Sequence, residues 1–449
     1  MSIDALQNAA HKGDGAACLQ LAMAWMTGEG VPAQDTGKGR HWLELAAKNG
    51  KLEAKRFLGL IYLRGMDVVP DYQKALEYLA DAAGKQDHEA AWYLASFLGG
   101  TRNDCYDAER AISWLKAAAE GGIPRAQCHF AYCLQRGVLI EQDDVAAVEL
   151  FARAAGNGDP GAMLALAEYF ETGFMLPKDL NRAGGLARLA AQGGWKVADE
   201  YAVSLGNGPG DPRPDINGLL PQAGEISRSH QGQVPKLETE ALSWKPRVFL
   251  MRNFLNAFEC AEVANAAYQH LMPSFVVSVD GELAENQVRT SHEVRLRHGL
   301  RNIVLHTIEQ RMAVWSHHPL ENAELPLVLH YENSQSFEQH YDYFIPEKFV
   351  MGEGPLEWGG QRVATQLIYL NEAFEGGETR FDLADLVVEP ERGMCMLFYN
   401  LSPDGNVDPL TRHTGVGVSS GEKWLLSRWI REIPFDSPAK EIKRDRYRQ

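Results

Sequence analysis

The chain has few cysteines, no basic surplus and no long apolar run, and each shortage excludes a class of protein. Six cysteines are spread over 449 residues without a Cys-x-x-Cys pair, so neither a zinc ribbon nor a thiol redox pair is indicated. The net charge of −16 argues against non-specific binding to nucleic acid or to an anionic membrane, because phosphate contacts need a surplus of Lys and Arg. No run approaches the roughly 18 apolar residues that a membrane-spanning helix requires.

The length and composition are those of a globular protein with two or three domains. Hydrophobic residues make up 45% and charged residues 23%, which excludes a mostly disordered chain. Scarce cysteines favour a reducing compartment, and we expect the protein in the cytoplasm. Residues 16–26 form a short apolar run that Gln20 interrupts, and we interpret it as part of a helix rather than as a signal segment.

The N-terminal half repeats with a period of 36 residues. One series of alanines stands at Ala54, Ala90, Ala126, Ala162 and Ala198. A second series, each member followed by another alanine, stands at Ala46, Ala82, Ala118, Ala154 and Ala190. Four residues after the second series come Gly50, Gln86, Gly122, Gly158 and Gly194. A fixed period of this length predicts an α-solenoid of stacked helical hairpins.

Each period contains two apolar segments with helical spacing. Residues 54–65 and 72–85 are one such pair, and Pro70 and Asp71 lie in the loop between them. The pattern resembles the Sel1-like repeats, relatives of the tetratricopeptide repeat, over about residues 14–205. The resemblance implies a surface that binds a protein partner or acts as a scaffold. The alternative is that the array only covers and solubilises the next domain.

A Gly/Pro-rich stretch separates the repeats from a region of different pattern. Helices are expected at 257–271 and 302–317, and short strands follow from about residue 325, which favours a sandwich or jelly roll. We place the domain limits at 1–205 for the repeats, 206–240 for a linker, 241–436 for the C-terminal domain and 437–449 for a charged tail.

A His-x-Asp triplet supplies the first candidate site. In a strand, His340 and Asp342 would point to one face and could present a nitrogen and a carboxylate to one metal. With His413 as third ligand they would form a facial triad, which leaves open positions on Fe(II). Lys423 could then neutralise a distal carboxylate. Two alternatives remain: the triplet is a surface pair on an edge strand, or the upstream pair at positions 330 and 332 provides the ligands.

Three segments, 331–344, 362–381 and 393–432, resemble the prolyl 4-hydroxylase branch of the 2-oxoglutarate/Fe(II) dioxygenases. The resemblance covers about 245–435 and implies a double-stranded β-helix, a variant of the jelly roll. It implies iron ligation by His340, Asp342 and His413. It implies 2-oxoglutarate binding by Lys423, Tyr331, Thr379 and Trp429. It also places Arg362 and Arg289 near a peptide substrate.

The resemblance further implies a reaction. The enzyme would hydroxylate a proline in a protein or peptide that the repeats hold. The reaction would use Fe(II), 2-oxoglutarate and O2, with ascorbate as reductant, and its co-products would be succinate and CO2. Hydroxylation of another residue type or of a free amino acid stays open, as does a repeat-based adaptor with a vestigial dioxygenase fold. Ser334 and Phe337 stand where the family often has Gly and Tyr. We expect no nucleic-acid or membrane partner, and the sequence does not indicate an oligomeric state.

Overall fold

The protein combines a helical N-terminal region with a C-terminal region of mainly antiparallel strands. The structure is a computed structural model that describes residues 2–101, 103–206, 237–277, 283–285, 290–345, 356 and 359–435. The helices are α1 (Ile3–His11), α2 (Gly15–Thr27), α3 (Thr36–Lys48), α4 (Leu52–Arg64), α5 (Tyr72–Ala83), α6 (His88–Gly100), α7 (Ala108–Glu120), α8 (Pro124–Arg136), α9 (Asp144–Gly156), α10 (Pro160–Thr172), α11 (Leu180–Gln192), α12 (Lys196–Ser204), α13 (Ala257–Tyr268) and α14 (Ile303–Ser316). Among the residues described, every helix is too short or too polar to cross a lipid bilayer.

The strands lie in the C-terminal region and confirm the change of pattern after the repeats. They are β1 (Thr239–Trp244), β2 (Arg247–Met251), β3 (Met272–Pro273), β4 (Phe275–Val277), β5 (Leu283–Glu285), β6 (His292–Arg295), β7 (Leu327–Tyr331), β8 (Phe337–His340), β9 (Arg362–Tyr369), β10 (Glu375–Gly376), β11 (Thr379–Phe381), β12 (Leu386–Val388), β13 (Cys395–Tyr399), β14 (His413–Gly415), β15 (Val418–Ser420) and β16 (Lys423–Arg431).

The chain forms two compact units. One unit is Met1–Cys133 with His298–Ile303, and the other is Leu134–Arg297 with Val304–Gln449. The domain limits given above follow the sequence pattern rather than packing, and they stay a prediction. Most of the predicted linker and all of the predicted tail lie outside the described residues.

Close helix packing explains the alanine series. Within the repeats α2 packs on α3, α4 on α5, α6 on α7 and α10 on α11, which confirms the predicted helical hairpins. Every alanine of both series is buried, with at most 1% of its surface exposed. A larger side chain at these positions would force apart helices that pack at close range, at a cost of about 1–3 kcal/mol.

A third series with the same period, which was not among those predicted from the sequence, fixes where the second helix of each hairpin begins. Its members are Asp35, Asp71, Asp107, Asp143 and Asp179, each in extended conformation immediately before a helix. Each carboxylate accepts a hydrogen bond of 2.9–3.0 Å from the backbone N–H three residues later. Such an N-cap contributes about 1 kcal/mol, so the series sets the phase of every hairpin.

The turn between repeats requires a left-handed backbone. Gly50, Gly122, Gly158 and Gly194 have φ between 82° and 94°, a region open to glycine at little cost. The second copy carries Gln86 at the equivalent position, with φ of 68°. A side chain in this conformation costs roughly 1–2 kcal/mol, so the one departure from glycine in the series is a strained residue.

A short segment from the C-terminal region packs on the repeats within the first unit. The Thr101 hydroxyl lies 3.2 Å from Nδ1 of His298, and Arg301 Nε donates to the Gly100 carbonyl at 2.6 Å. A Cβ at Gly100 would lie only 2.5 Å from the backbone N of Asn302. Glycine is therefore needed here because two backbones approach too closely for any side chain.

The C-terminal region is a double-stranded β-helix, as predicted. Its larger sheet has the order β1-β2-β13-β9-β16-β7-β6-β3, and the smaller has the order β12-β11-β14-β8. Apolar side chains from both sheets form one core, which includes Leu329, Phe381, Phe398 and Trp429. The central strand β16 is buried along its whole length, including Arg428 and Arg431.

Helix α13 joins the β-helix to the last repeats within the second unit. It contacts α10 and α12, and Phe258 packs against Phe151 and Trp195. Glu259 of this helix is fully buried and pairs with Arg136 at 3.2 Å and Arg311 at 3.0 Å. Burial alone would raise the pKa of Glu259, but the two guanidinium groups lower it to about 2, so the carboxylate stays charged.

The turn series predicts a matched pair of stability changes. Gln86→Gly should stabilise the protein by about 1 kcal/mol, because it removes left-handed strain. Gly122→Gln should destabilise it by a similar amount, since a Cβ there meets nothing within 4 Å and only the backbone conformation is affected. Urea unfolding of the full chain, followed by circular dichroism at 222 nm, measures both. The double variant should match the unsubstituted protein, and unchanged midpoints in both single variants would refute the strain at Gln86.

Candidate active site

Strand pairing brings His340, Asp342 and His413 together. His340 ends β8, His413 begins β14, and the two residues are direct partners in the antiparallel register. Asp342 follows two residues after His340. His340 Nε2 lies 3.5 Å from Asp342 Oδ1, and His413 Nε2 lies 3.9 Å from Asp342 Oδ2. One ligand atom from each of the three residues lies within 4.8 Å of the other two, which is close enough to share one metal ion.

The backbone fixes both imidazoles in the same orientation. Nδ1 of His340 lies 2.8 Å from the Glu338 carbonyl oxygen, and Nδ1 of His413 lies 2.9 Å from that of Thr411. A carbonyl only accepts, so Nδ1 carries the proton in each ring and the Nε2 lone pair remains for a metal. Metal-binding histidines are commonly oriented in this way.

Burial and charge prepare the three side chains as ligands. Burial would raise the pKa of Asp342, but His413 and His340 hold that pKa well below its usual range. Burial, together with the nearby His340, lowers the pKa of His413 to about 4, so this ring is neutral at neutral pH. Two imidazoles and one carboxylate on one face form a donor set that fits Fe(II) and leaves other positions open.

A buried lysine lies deeper between the sheets. Lys423 is 2% exposed, and its Nζ donates to the Gly377 carbonyl oxygen at 2.5 Å. Its Nζ lies 5.4 Å from the ring centre of Tyr331 and 5.3 Å from that of Tyr369. Among the residues described, no carboxylate pairs with it, and burial lowers the pKa of Lys423 to about 7. A dicarboxylate such as 2-oxoglutarate would supply the missing negative partner, so the residues fit this co-substrate.

The other residues expected to bind 2-oxoglutarate lie near this lysine or on the same core face. Tyr331 is the register partner of Lys423. Thr379 is buried, and its hydroxyl lies 2.7 Å from that of Tyr369. Trp429 is 7% exposed, and its indole Nε1 is buried without a hydrogen-bond partner. The roles of these three side chains in binding 2-oxoglutarate stay predictions.

Arg362 contacts a carboxylate, an aromatic ring and a backbone carbonyl. Its Nε donates to Glu324 Oε1 at 2.8 Å, and its guanidinium carbon lies 3.9 Å from the ring centre of Trp429. Nη1 donates to the backbone carbonyl of Asp342 at 3.3 Å. Arg362 therefore contacts the loop that carries an expected iron ligand, and its substrate role stays a prediction. Arg289, the second expected substrate residue, lies outside the described residues.

Two residues of β9 complete the site and were missed from the sequence. Thr365 donates from its hydroxyl to Asp342 Oδ2 at 2.7 Å, and Asn400 donates to the same hydroxyl at 3.1 Å. The hydroxyl of Tyr369 lies 2.7 Å from that of Thr379, and the centre of its ring lies 5.3 Å from Nζ of Lys423. Positions 365, 367 and 369 point to the same face of the strand, because side chains alternate between faces. This alternation is the sequence pattern from which Thr365 and Tyr369 could have been predicted to face the site.

The departures from the family pattern leave the site intact. Ser334 adopts φ of 70°, so the turn usually made by glycine is retained with a side chain present. The Phe337 ring stacks on the His340 imidazole, with 3.5 Å between ring centres. His330 and Glu332, the other candidate ligands, stand on either side of Tyr331 in the sequence. Side chains alternate between the faces of a strand, so these two point away from the core that contains Tyr331.

Comparison with known proteins agrees with this geometry. The family model of the 2OG-Fe(II) oxygenase superfamily matches residues 326–431. The Sel1 repeat model matches five consecutive segments, 15–51, 52–87, 88–123, 124–159 and 160–195.

Similar proteins carry the name prolyl 4-hydroxylase. The probable prolyl 4-hydroxylase 3 of Arabidopsis thaliana is 38% identical over 212 residues, which is 43% of this chain and 71% of the relative. Prolyl 4-hydroxylase 1 of the same plant is 38% identical over 215 residues, 44% of this chain and 74% of the relative. Among solved structures, the chain is similar to the viral collagen prolyl hydroxylase from Paramecium Bursaria Chlorella virus-1 in complex with 2OG. The two sequences are 24% identical, the TM-score is 0.33, and the match covers 41% of this chain and 96% of the viral chain. The chain therefore belongs to the prolyl 4-hydroxylase family of 2-oxoglutarate/Fe(II) oxygenases, and is a 2-oxoglutarate-dependent dioxygenase joined to five Sel1 repeats.

Proposed function

We propose that this dioxygenase hydroxylates a proline residue in a protein or peptide. The observation that carries the proposal is the triad of His340, Asp342 and His413, together with a buried Lys423 that forms no ion pair among the described residues. These residues lie in the segment 326–431 that matches the oxygenase family, in a chain similar to prolyl 4-hydroxylases. Bound Fe(II) and 2-oxoglutarate would supply the insertion of one oxygen atom of O2 into a C–H bond, with succinate and CO2 as co-products.

The side chains divide this work between binding and orientation. His340 and His413 present their Nε2 atoms because backbone carbonyls hold the opposite nitrogens. Asp342 is held by the hydroxyl of Thr365, so its carboxylate keeps a fixed direction. Lys423 would pair with the distal carboxylate of 2-oxoglutarate, and its burial keeps water from weakening that pair.

The repeats are proposed to bind a second segment of the same protein substrate. Sel1 repeats are generally modules of protein–protein interaction, and binding at two places would raise the effective concentration of the target proline. We further propose ascorbate as a reductant and a cytoplasmic location. The latter is consistent with the absence of disulfides among the six cysteines, all of which are described.

Removal of an iron ligand should abolish turnover without unfolding the protein. His340→Ala and His413→Ala each leave two of the three donors, too few to hold Fe(II) firmly, and neither side chain is part of the apolar core. Succinate formation from 2-oxoglutarate should fall by at least about 100-fold, measured with excess Fe(II) and with circular dichroism as a folding check. His41→Ala, an exposed histidine of α3, is the matched control. Turnover retained in both ligand variants would disprove the assignment.

The KM for 2-oxoglutarate should depend on pH through Lys423. Only the protonated amine pairs with a carboxylate, and its pKa is about 7 before the co-substrate binds. KM should therefore be flat below pH 7 and rise about tenfold per unit above it. Lys423→Arg keeps its charge, so this variant should lose the rise. Lys423→Met should raise KM by about 100-fold or more at all pH values. A wild-type KM that is constant from about pH 6 to 9 would show that another cation binds the carboxylate.

The hydroxylated residue can be identified by mass spectrometry. Proline-rich peptides and cell lysate are incubated with enzyme, Fe(II), 2-oxoglutarate and ascorbate, and oxygen additions are mapped. We expect additions on proline that disappear with His340→Ala. Additions confined to another residue type, or to a free amino acid, would replace the proline proposal while leaving the dioxygenase assignment in place.

A further inference from the structure

The outer face of β7 carries a second group of metal-ligating side chains. His330 and Glu332 flank Tyr331, so they point to the opposite face from the one that contacts Lys423. His292 of the neighbouring strand β6 is the register partner of His330. Ligand atoms of His292, His330 and Glu332 lie within 4.8 Å of one another. Strand pairing therefore assembles this cluster in the same way as it assembles the iron ligands.

One feature of the cluster indicates a missing ion, and two others fix the orientation of His330. Nδ1 of His292 is buried and has no hydrogen-bond partner, which is costly for a polar nitrogen. Nε2 of His330 lies 3.0 Å from Oε2 of Glu422, a hydrogen-bond distance, so this carboxylate helps to orient the ring. The ring of Trp424 lies 4.3 Å from that of His330 and restricts its orientation.

We propose that His292, His330 and Glu332 form a second divalent metal site that takes Zn²⁺, with water as the fourth ligand. Two imidazoles and one carboxylate are a donor set that zinc accepts in tetrahedral geometry. The ion would link β6 to β7, because the three residues belong to or adjoin these strands. Its role is structural: it would fasten β6, which lies next to the edge strand β3, to the centre of the larger sheet.

The test must separate this site from the iron site, which can also hold zinc. The full-length double variant His340→Ala/His413→Ala removes two iron ligands and serves as the background. Metal is stripped with chelator, Zn²⁺ alone is titrated by calorimetry, and the bound metal is counted by mass spectrometry after dialysis. We expect about one Zn²⁺ per chain in this background, together with a higher thermal unfolding temperature when the metal is present.

Further substitutions in that background decide the outcome. His292→Ala and Glu332→Gln alter partly exposed or exposed side chains, so folding should survive, and each should weaken zinc binding by at least about tenfold. His41→Ala should leave binding unchanged. The proposal is overturned if the background binds no zinc, or if zinc binding is as strong in His292→Ala and Glu332→Gln as in the background. It is also overturned if His41→Ala weakens zinc binding as much as they do.

Discussion

The register of two antiparallel strand pairs is the constraint on which the active site depends. Pairing of β8 with β14 sets His340 opposite His413, and pairing of β7 with β16 sets Tyr331 opposite Lys423. Because side chains alternate between faces, a slip of one residue would turn either pair away from the core. The site is therefore a property of the sheets as a whole, and the surrounding loops add only Asp342 to the metal ligands.

Buried charge holds this register in place. Glu324 is fully buried and is contacted by Arg362 at 2.8 Å, Arg431 at 3.1 Å and Arg295 at 3.6 Å. Burial would raise the pKa of Glu324, but the arginines lower it to about 2, so the cluster stays ionised. Removing one partner of such a cluster typically costs about 3–5 kcal/mol. The same Arg362 contacts the backbone carbonyl of Asp342, so the cluster stabilises the backbone at this residue as well as the sheet.

Periodic features of the sequence predicted the fold well, and contacts distant in the chain were not predictable. The alanine series marked the hairpins because small residues are needed wherever helices approach closely. The triad followed from strand alternation and family resemblance, whereas Thr365 looked like any polar residue of a half-buried strand. Nothing in the predicted helix 257–271 marked Glu259, because its partner Arg136 lies more than a hundred positions away. Neither spacing nor composition could reveal that this carboxylate is buried.

The shared core around α13 limits how the repeat array can change in evolution. Repeat proteins commonly gain or lose whole units by duplication, because each unit contacts only its neighbours. Here the repeats that contain α8, α10 and α12 supply Arg136 or contact α13. The helices α4 and α6, from two earlier repeats, contact the segment at residues 298–301. Loss or duplication of any of these repeats would leave the buried Glu259 without Arg136, or would remove the backbone contact between Gly100 and Arg301. Variation in copy number among descendants of this gene should therefore concentrate at the first hairpin.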